Sequence, residues 1–118
     1  MPFFKWEELE AELITPRYSP AKGPSVEGEK IMMGCFFYPA GGKAEAHAHP
    51  NEQIISIFKG KVKFRIENEE KILGAGDVFL IPANAEHEME IIEDTDVIFC
   101  KDLVPNWSIR DAKWEDES

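Results

Sequence analysis

Residues 61–67 read KVKFRIE, and this stretch decides the fold class. The apolar residues Val62, Phe64 and Ile66 alternate with four charged ones. An alternation with a period of two residues is typical of a β-strand that buries one of its faces. The buried face must be covered by a second layer, so the stretch predicts one strand of a larger β-structure.

Short strand-like runs continue on both sides of this stretch. From Ile31 to about residue 104, β-branched and aromatic runs are separated at near-regular intervals by Gly, Pro, Asn and Asp, and no helical pattern interrupts them. Gly60 marks a turn between two runs, and Asn84 favours a left-handed backbone conformation. The pattern predicts an all-β sandwich or barrel. The further predicted strands are 31–38, 45–49, 53–59, 71–73, 78–81, 87–92 and 95–101.

A chain of 118 residues is long enough for one domain with its own core and too short for two. Trp6, Leu9 and Leu13 lie at helical spacing near the N-terminus, and Trp107 and Trp114 are candidate anchors for an acidic C-terminal segment. The predicted parts are an N-terminal arm and loop, the barrel and a C-terminal tail, at residues 1–30, 31–104 and 105–118.

The charge balance excludes several classes of partner. The chain has 13 Lys and Arg against 23 Asp and Glu, a net charge of −10, which repels nucleic acids and anionic lipid surfaces. The acidic N-terminus lacks the apolar stretch of a signal peptide, so we predict a cytoplasmic protein without a membrane segment. Cys35 and Cys100 each lie in an apolar run, which predicts buried free thiols.

The sequence contains three histidines, and their positions favour a common site. His47 and His49 are two residues apart on a predicted strand, so their side chains leave the same face. Gln53 begins the next strand, and His87 begins another. Three neutral imidazoles and one amide oxygen would hold one divalent transition metal, Zn, Ni, Mn or Fe, and leave about two of six positions open. The alternative is that the first pair belongs to the solvated face of an amphipathic strand.

Two longer spacing patterns run through these residues. The first is Gly41, five residues, His47-Ala48-His49, three residues, Gln53, six residues and Gly60; the second is Gly76, five residues, Pro82 and then His87. Over residues 31–104 this spacing resembles the two barrel motifs of the cupin superfamily. The resemblance implies a small antiparallel jelly-roll β-barrel, a homodimer, and a metal bound inside the barrel by His47, His49, Gln53 and His87. The chain departs from the common pattern in having Gln53, Asn84 and Ile91 where Glu, Gly and Asn are usual.

Gln53 and its neighbour Glu52 are alternative fourth ligands. Strand alternation points them in opposite directions, and Gln53 shares its face with the apolar Ile55 and Ile57. We therefore prefer Gln53. A neutral fourth ligand leaves the charge of the metal uncompensated, which favours anionic ligands such as carboxylates.

The motif His-X-His-Pro-X-Glu-Gln at residues 47–53 resembles the corresponding motif of a narrower group of single-domain cupins. This group includes enzymes that linearise unsaturated uronates released from pectin and alginate. The opening Trp6-Glu-Glu-Leu and the pair Asp94-Thr95 also resemble that group. The group has an inward Asp, an aromatic residue and an Arg that serve catalysis. An ungapped alignment places Phe99, Lys101 and Pro105 there.

Three other residues are candidates for substrate binding. Lys101 would offer an ammonium group to a substrate carboxylate if residues 97, 99 and 101 face inward, and Phe99 would lie beside it; the alternative is that Lys101 extends into solvent. Tyr38 is a candidate general acid or a core residue. No catalytic residue is assigned.

These observations lead to three hypotheses about function. The first is a metal-binding cupin that acts as a Lewis-acid isomerase or lyase on a small anionic, sugar-acid-like metabolite. The second is a metal-dependent dioxygenase, and the third is a non-catalytic cupin that binds a small ligand.

Overall fold

The structure is a computed structural model that describes residues 2–10, 12–13, 21–107 and 113–114. In these ranges the chain forms no α-helix, and Trp6–Glu8 make a single turn of 3₁₀ helix, so the helical spacing of the arm produces no longer element. None of the described segments is a helix that could cross a membrane. The strands are β1 (Glu12–Leu13), β2 (Lys22–Gly23), β3 (Ser25–Glu27), β4 (Ile31–Tyr38), β5 (Lys43–Ala48), β6 (Gln53–Ile66), β7 (Glu69–Gly74), β8 (Val78–Ile81), β9 (His87–Asp102) and β10 (Lys113–Trp114).

The described strands form one antiparallel sheet, which confirms the all-β prediction. The path through the sheet is β1-β2-β4-β9-β5-β10, with β3 on β4 and with β6 paired to β7, β8 and β9. β4 and β8 coincide with predicted strands, and β2 and β3 extend the sheet into the predicted N-terminal loop. Residues 14–20 of that loop lie outside the described ranges.

The long strands β6 and β9 each belong to two half-sheets that face each other. The β4 half contains β3, β4, β8, residues 53–57 of β6 and residues 95–102 of β9. The β5 half contains β5, β7, residues 61–66 of β6 and residues 87–93 of β9. The rings of Phe64 in the β5 half and Phe79 in the β4 half have centroids 4.4 Å apart. This contact places the two inner faces against each other, as in a jelly roll.

Gly60 lies within β6 at the bend between the two halves, so the prediction of a turn separating two strands there is wrong. The inward residues before the bend are Ile55 and Ile57, and those after it are Val62 and Phe64, so the period of two shifts by one residue. Gly60 has φ +104°, which side chains disfavour. The register between β6 and β9 is irregular at three steps from Ile57 to Val62, on both sides of Gly60, and these irregularities explain the shift while the strand continues. The two strands predicted at 87–92 and 95–101 likewise form one strand, β9.

The core fills the space between the half-sheets. Its side chains are almost entirely aliphatic and aromatic, and their removal from water is the main contribution that stabilises the folded state. Both cysteines are free, as predicted, but each is partly exposed rather than buried, because Cys35 and Cys100 alternate with the inward residues of their strands. The largest fully buried apolar side chains are Ile57, Val62, Ile81 and Val97.

Candidate metal centre

A β-bulge in β5 aims the first histidine into the barrel. Between the pair Ala44 with Met89 and the pair His47 with His87, β5 advances by three residues while β9 advances by two. Ala46 is 1% exposed and directly precedes His47, so simple alternation would turn His47 outward. The extra residue shifts the alternation and places His47 opposite the buried His87.

The corner before β9 ties the third histidine to the second. Asn84 has φ +66°, as its residue type predicts, and its N–H donates to the carbonyl oxygen of His49 at 2.7 Å. The N–H of Ala85 donates to the carbonyl oxygen of Pro82 at 3.2 Å, which closes the turn. His87 therefore begins β9 at a position fixed relative to His49.

The three imidazoles meet in the interior, as the sequence spacing predicts. Ring centroids are 4.2 Å apart for His47 and His87, 4.9 Å for His49 and His87, and 5.6 Å for His47 and His49. One nitrogen of each ring lies within 4.8 Å of one nitrogen of the others. His49 and His87 are buried and His47 is partly buried. This excludes the solvated-face alternative and matches the donor set that transition metals prefer.

Backbone carbonyls orient all three rings in the same way. The Nδ1–H of His47 donates to the carbonyl oxygen of Glu45 at 2.8 Å. The Nδ1–H of His49 donates to that of Asn51 at 3.1 Å, and the Nδ1–H of His87 donates to that of Ala85 at 3.0 Å. A carbonyl oxygen can only accept, so each Nδ1 carries the proton and each Nε2 carries the lone pair. A histidine that binds a metal through one nitrogen almost always donates from the other. The tautomers therefore fit a metal centre.

The electrostatics keep the three rings neutral at pH 7. The pKa of each imidazole is lowered from 6.5 to about 4, first by burial and also by repulsion from a neighbouring imidazole. Lys101 contributes further repulsion at His47 and His49. Neutral imidazole is the form that binds a metal.

Gln53 lies at the start of β6 with the orientation that the sequence predicts. It is partly buried and alternates in phase with the buried Ile55 and Ile57, whereas Glu52 is exposed. The backbone N–H of Glu52 donates to an Oδ1 of Asp102 at 2.6 Å, which fixes the loop outside the barrel. Of the two candidate fourth ligands, Gln53 is the one on the inner face.

Lys101 lies beside Gln53 and close to the imidazoles. It pairs with Gln53 across β6 and β9, and its Nζ is 6.0 Å from the ring centroid of Phe99. Val97 and Phe99 are buried, so Lys101 alternates in phase with inward residues. Burial lowers the pKa of Lys101, and the carboxylates of Glu27 and Asp102 act in the opposite direction. The alternation of β9 therefore places Lys101 on the side of the strand that faces inward.

Tyr38 lies at the other end of the β4 half. It pairs with Thr95, six positions along β9 from Lys101, which corresponds to roughly 20 Å of strand. Tyr38 is buried, and burial raises its pKa to about 12. The structure does not bring Tyr38 to the imidazoles, and we do not include it in the site.

Two residues near the imidazoles were not predicted as part of a site. Asn51 is 2% exposed, and its backbone carbonyl oxygen accepts a hydrogen bond from His49. Its side-chain Nδ2 donates to the backbone carbonyl oxygen of Asp102 at 2.6 Å. Its side-chain Oδ1 has no protein partner among the described residues. The ring of Trp107 lies 6.1 Å from that of His49. Asn51 lies in a turn and Trp107 in the C-terminal segment, and no regular sequence spacing relates either residue to a histidine.

The C-terminal segment returns to β5, the strand that carries His47. The backbone of β10 pairs with β5, with Lys113 opposite Ala48 and Trp114 opposite His47. Together with Trp107, this pairing holds parts of the predicted tail against the metal centre.

Comparisons with known proteins agree with this fold. The family model for the Cupin domain matches residues 35–104. No curated protein matches the chain. A solved structure of an RmlC-like cupin from Shewanella frigidimarina NCIMB 400 has a TM-score of 0.79 at 20% identity, covering 90% of this chain and 94% of that chain.

Two further solved structures share the architecture. The Cnp3 cupin domain of Schizosaccharomyces pombe has a TM-score of 0.72 at 15% identity, covering 87% of this chain and 74% of that one. Oxalate decarboxylase from Bacillus subtilis has a TM-score of 0.76 at 15% identity, covering 95% of this chain and 31% of that one. The chain thus spans about a third of the decarboxylase. At these identities the likeness shows the fold alone.

Proposed function

The chain belongs to the cupin family, and from that premise we propose that it is a metal-binding cupin that holds one divalent transition metal on His47, His49, Gln53 and His87. The observation that carries the proposal is the common tautomer of the three rings, in which Nδ1–H donates to a carbonyl and Nε2 keeps its lone pair. Gln53 adds the amide oxygen of a neutral donor set. About two of six octahedral positions remain for a ligand.

The charge distribution favours a small anionic ligand. A bound divalent metal would supply Lewis acidity to an oxygen-rich substrate. The four proposed ligands are neutral, so they leave the charge of the metal uncompensated. Lys101 adds a positive charge beside His47 and His49, in a chain whose net charge is −10. A carboxylate is the group that such a pair of positive centres would bind.

We propose isomerisation or lyase chemistry on a sugar-acid-like metabolite as the activity. In this proposal Lys101 holds the substrate carboxylate and thereby orients the substrate. Two aromatic rings lie near these groups: the Phe64 centroid is 6.1 Å from that of His87, and the Phe99 centroid is 6.0 Å from the Nζ of Lys101. The resemblance to the uronate-linearising group supports this substrate class.

A non-catalytic binding function is the second candidate, and the environment of Phe99 favours it. In the resembled group an inward Asp serves catalysis at the position that aligns with Phe99. Here Phe99 is buried and packs edge-to-face on Phe36, with ring centroids 4.8 Å apart. An apolar side chain at this position can shape a binding cavity but cannot transfer a proton.

Metal content tests the binding proposal. We expect about one equivalent of transition metal per chain in the purified protein and its loss in His87→Ala. Glu52→Ala is the matched control, because Glu52 is exposed and points away from the inner face. Full metal content in His87→Ala would show that the metal, if any, lies elsewhere.

A substrate panel tests the activity. Unsaturated uronates and small keto acids are incubated with the metal-loaded protein, with and without oxygen. Turnover that is independent of oxygen and abolished by His87→Ala supports the isomerase or lyase. Oxygen uptake with bound iron would instead identify a dioxygenase. Binding without turnover would identify the non-catalytic cupin.

Lys101→Met separates substrate binding from metal binding. We expect the variant to keep its metal and to bind an anionic substrate at least about tenfold more weakly, since a charged hydrogen bond contributes roughly 1.5–3 kcal/mol. Unchanged affinity would remove Lys101 from the proposed site.

A further inference from the structure

Trp107 is placed beside the metal centre by a tight turn in the C-terminal segment. Pro105 and Asn106 occupy the two central positions of this turn. The N–H of Trp107 donates to the carbonyl oxygen of Val104 at 3.2 Å, and Asn106 has φ +63°, which together are typical of a type II turn. The ring of Trp107 then lies 6.1 Å from that of His49. The position of the indole is therefore defined by the backbone that precedes it.

Trp107 lies at the boundary between the metal centre and solvent. His49 is 4% exposed, whereas Trp107 beside it is partly exposed. An indole that neighbours a buried imidazole and still reaches solvent offers a flat apolar surface to a ligand that enters the site.

Asn51 adjoins the same histidine and carries a buried hydrogen-bond acceptor. Asn51 is 2% exposed, and its backbone carbonyl oxygen accepts from His49. Its Nδ2 donates to the backbone carbonyl oxygen of Asp102 at 2.6 Å, so the amide is held with Oδ1 on the side away from that carbonyl. Oδ1 has no protein partner within the part of the chain that the structure describes. Because buried polar groups are nearly always hydrogen-bonded, this atom points to a donor that a ligand brings.

The unpaired acceptor restricts the chemistry of that ligand. An ionised carboxylate or a ketone can only accept hydrogen bonds, so neither can satisfy Oδ1, whereas a hydroxyl group can donate to it. Asp102, which anchors the Asn51 amide, directly follows Lys101 in the chain. The acceptor for a hydroxyl and the ammonium group proposed to hold a carboxylate are therefore in adjoining parts of the site.

We propose that Trp107 and Asn51 form a ring-binding subsite beside His49. In this subsite the indole packs against the C–H face of a cyclic, hydroxylated carboxylic acid, and Oδ1 of Asn51 accepts a hydrogen bond from one of its hydroxyls. The inference rests on the proposed function and narrows it, because a small keto acid without hydroxyls lacks the donor. The subsite also makes Trp107, a residue of the C-terminal segment, part of the ligand site.

Two ligands separate the roles of the two residues. D-Glucuronate and cyclohexanecarboxylate share a six-membered ring and a carboxylate, but only D-glucuronate has hydroxyls. In isothermal titrations of the Zn²⁺-loaded wild type, D-glucuronate should bind at least about fivefold more tightly. Asn51→Ala should lose this preference and keep its affinity for cyclohexanecarboxylate. Trp107→Ala should bind both ligands at least about fivefold more weakly, and Trp107→Phe should restore most of the affinity.

Glu52→Ala is the matched control, because Glu52 is the exposed neighbour of Asn51; it should bind both ligands as the wild type does. Wild-type protein that binds the two ligands equally, or binds neither, would overturn the proposal, and this comparison does not depend on how the variants fold. An undiminished preference for D-glucuronate in Asn51→Ala would overturn the role of Asn51. Unchanged affinities in Trp107→Ala would overturn the role of Trp107.

Metal content, measured on the same samples, reports separately on the proposed function. Asn51→Ala should keep its metal, because the carbonyl oxygen that orients His49 belongs to the backbone of residue 51 and remains in the variant. A wild type that takes up metal but shows no preference between the ligands would overturn the subsite alone. A wild type that takes up no metal would overturn the proposed function and the subsite with it.

Discussion

At the scale of single residues, the orientation of each imidazole is set by its own backbone neighbourhood. His47 and His87 donate to the carbonyl two residues before them, and His49 donates to the carbonyl two residues after it. The acceptors are main-chain atoms, so substitution of the neighbouring side chains leaves them in place. These main-chain carbonyls therefore select the tautomer that leaves the lone pair on Nε2 of each ring.

Much of the site could be predicted from residue spacing. Strand alternation placed Gln53 on the inner face and Glu52 outside, as the structure has them. Asn51 could not be predicted, because its importance comes from a hydrogen bond to Asp102, which lies 51 residues away in the chain. Spacing reports on residues of one strand and carries no information on such long-range contacts.

Gln53→Ala tests the fourth ligand. We expect metal affinity to fall at least about tenfold, since even groups that only support a ligand typically change affinity 10–100-fold. Three imidazoles remain, so binding should weaken rather than vanish. Isothermal titration with Ni²⁺ measures the effect, and Gln53→Glu should restore the affinity. An affinity equal to wild type in Gln53→Ala would remove Gln53 from the site.

At the scale of elements, irregular pairing within β5 and within β6 decides which side chains face inward. The bulge in β5 turns His47 into the barrel. The irregular pairing around Gly60 changes the inward residues of β6 from odd to even positions. The sequence predicts the strands on both sides of Gly60 because each has a clear alternation. It cannot distinguish a turn from a bulge there, since both interrupt the period of two.

Gly60→Ala tests the bend. An added Cβ would meet the carbonyl oxygen of Asp94 and the side chain of Thr95, and the positive φ adds roughly 1–3 kcal/mol of strain. Gly76→Ala is the matched control, because Gly76 has φ +92° but no atom within 4 Å of the added Cβ. Urea unfolding should show a larger loss of stability for Gly60→Ala. Equal losses in the two variants would mean that backbone strain alone accounts for the effect.

At the scale of the whole molecule, the bend brings the two ends of β9 to one site. His87 begins this strand and Lys101 lies near its end, yet the charge of Lys101 acts on His47, which is paired with His87. Each half-sheet thus contributes residues to the candidate site. The strand pattern predicts a sandwich or barrel, and the family resemblance implies a jelly roll. Alternation alone cannot show that the ends of a 16-residue strand converge.

The stability of the metal-free protein should depend on pH in a defined window. Imidazoles titrate near 6.5 in the unfolded chain and at about 4 in the folded protein. Between these values the unfolded chain binds more protons, so the free energy of unfolding should fall as the pH is lowered from about 6.5 to about 4. Urea titrations at several pH values measure this free energy of unfolding. In a variant with all three histidines replaced by Gln, the free energy of unfolding should no longer depend on pH above pH 5. A wild-type protein whose free energy of unfolding does not change with pH in this range would contradict the buried neutral rings.

The most direct test of the metal centre is a long-range ¹H–¹⁵N NMR correlation of the imidazoles during titration with Zn²⁺. The protein has three histidines, so each ring can be followed separately. We predict Nδ1–H tautomers for all three rings before and after titration, with the three Nε2 resonances shifting together and saturating at one equivalent of Zn²⁺. A ring that keeps its Nε2 resonance unchanged, or that loses the proton from Nδ1, would contradict a centre built from these three side chains.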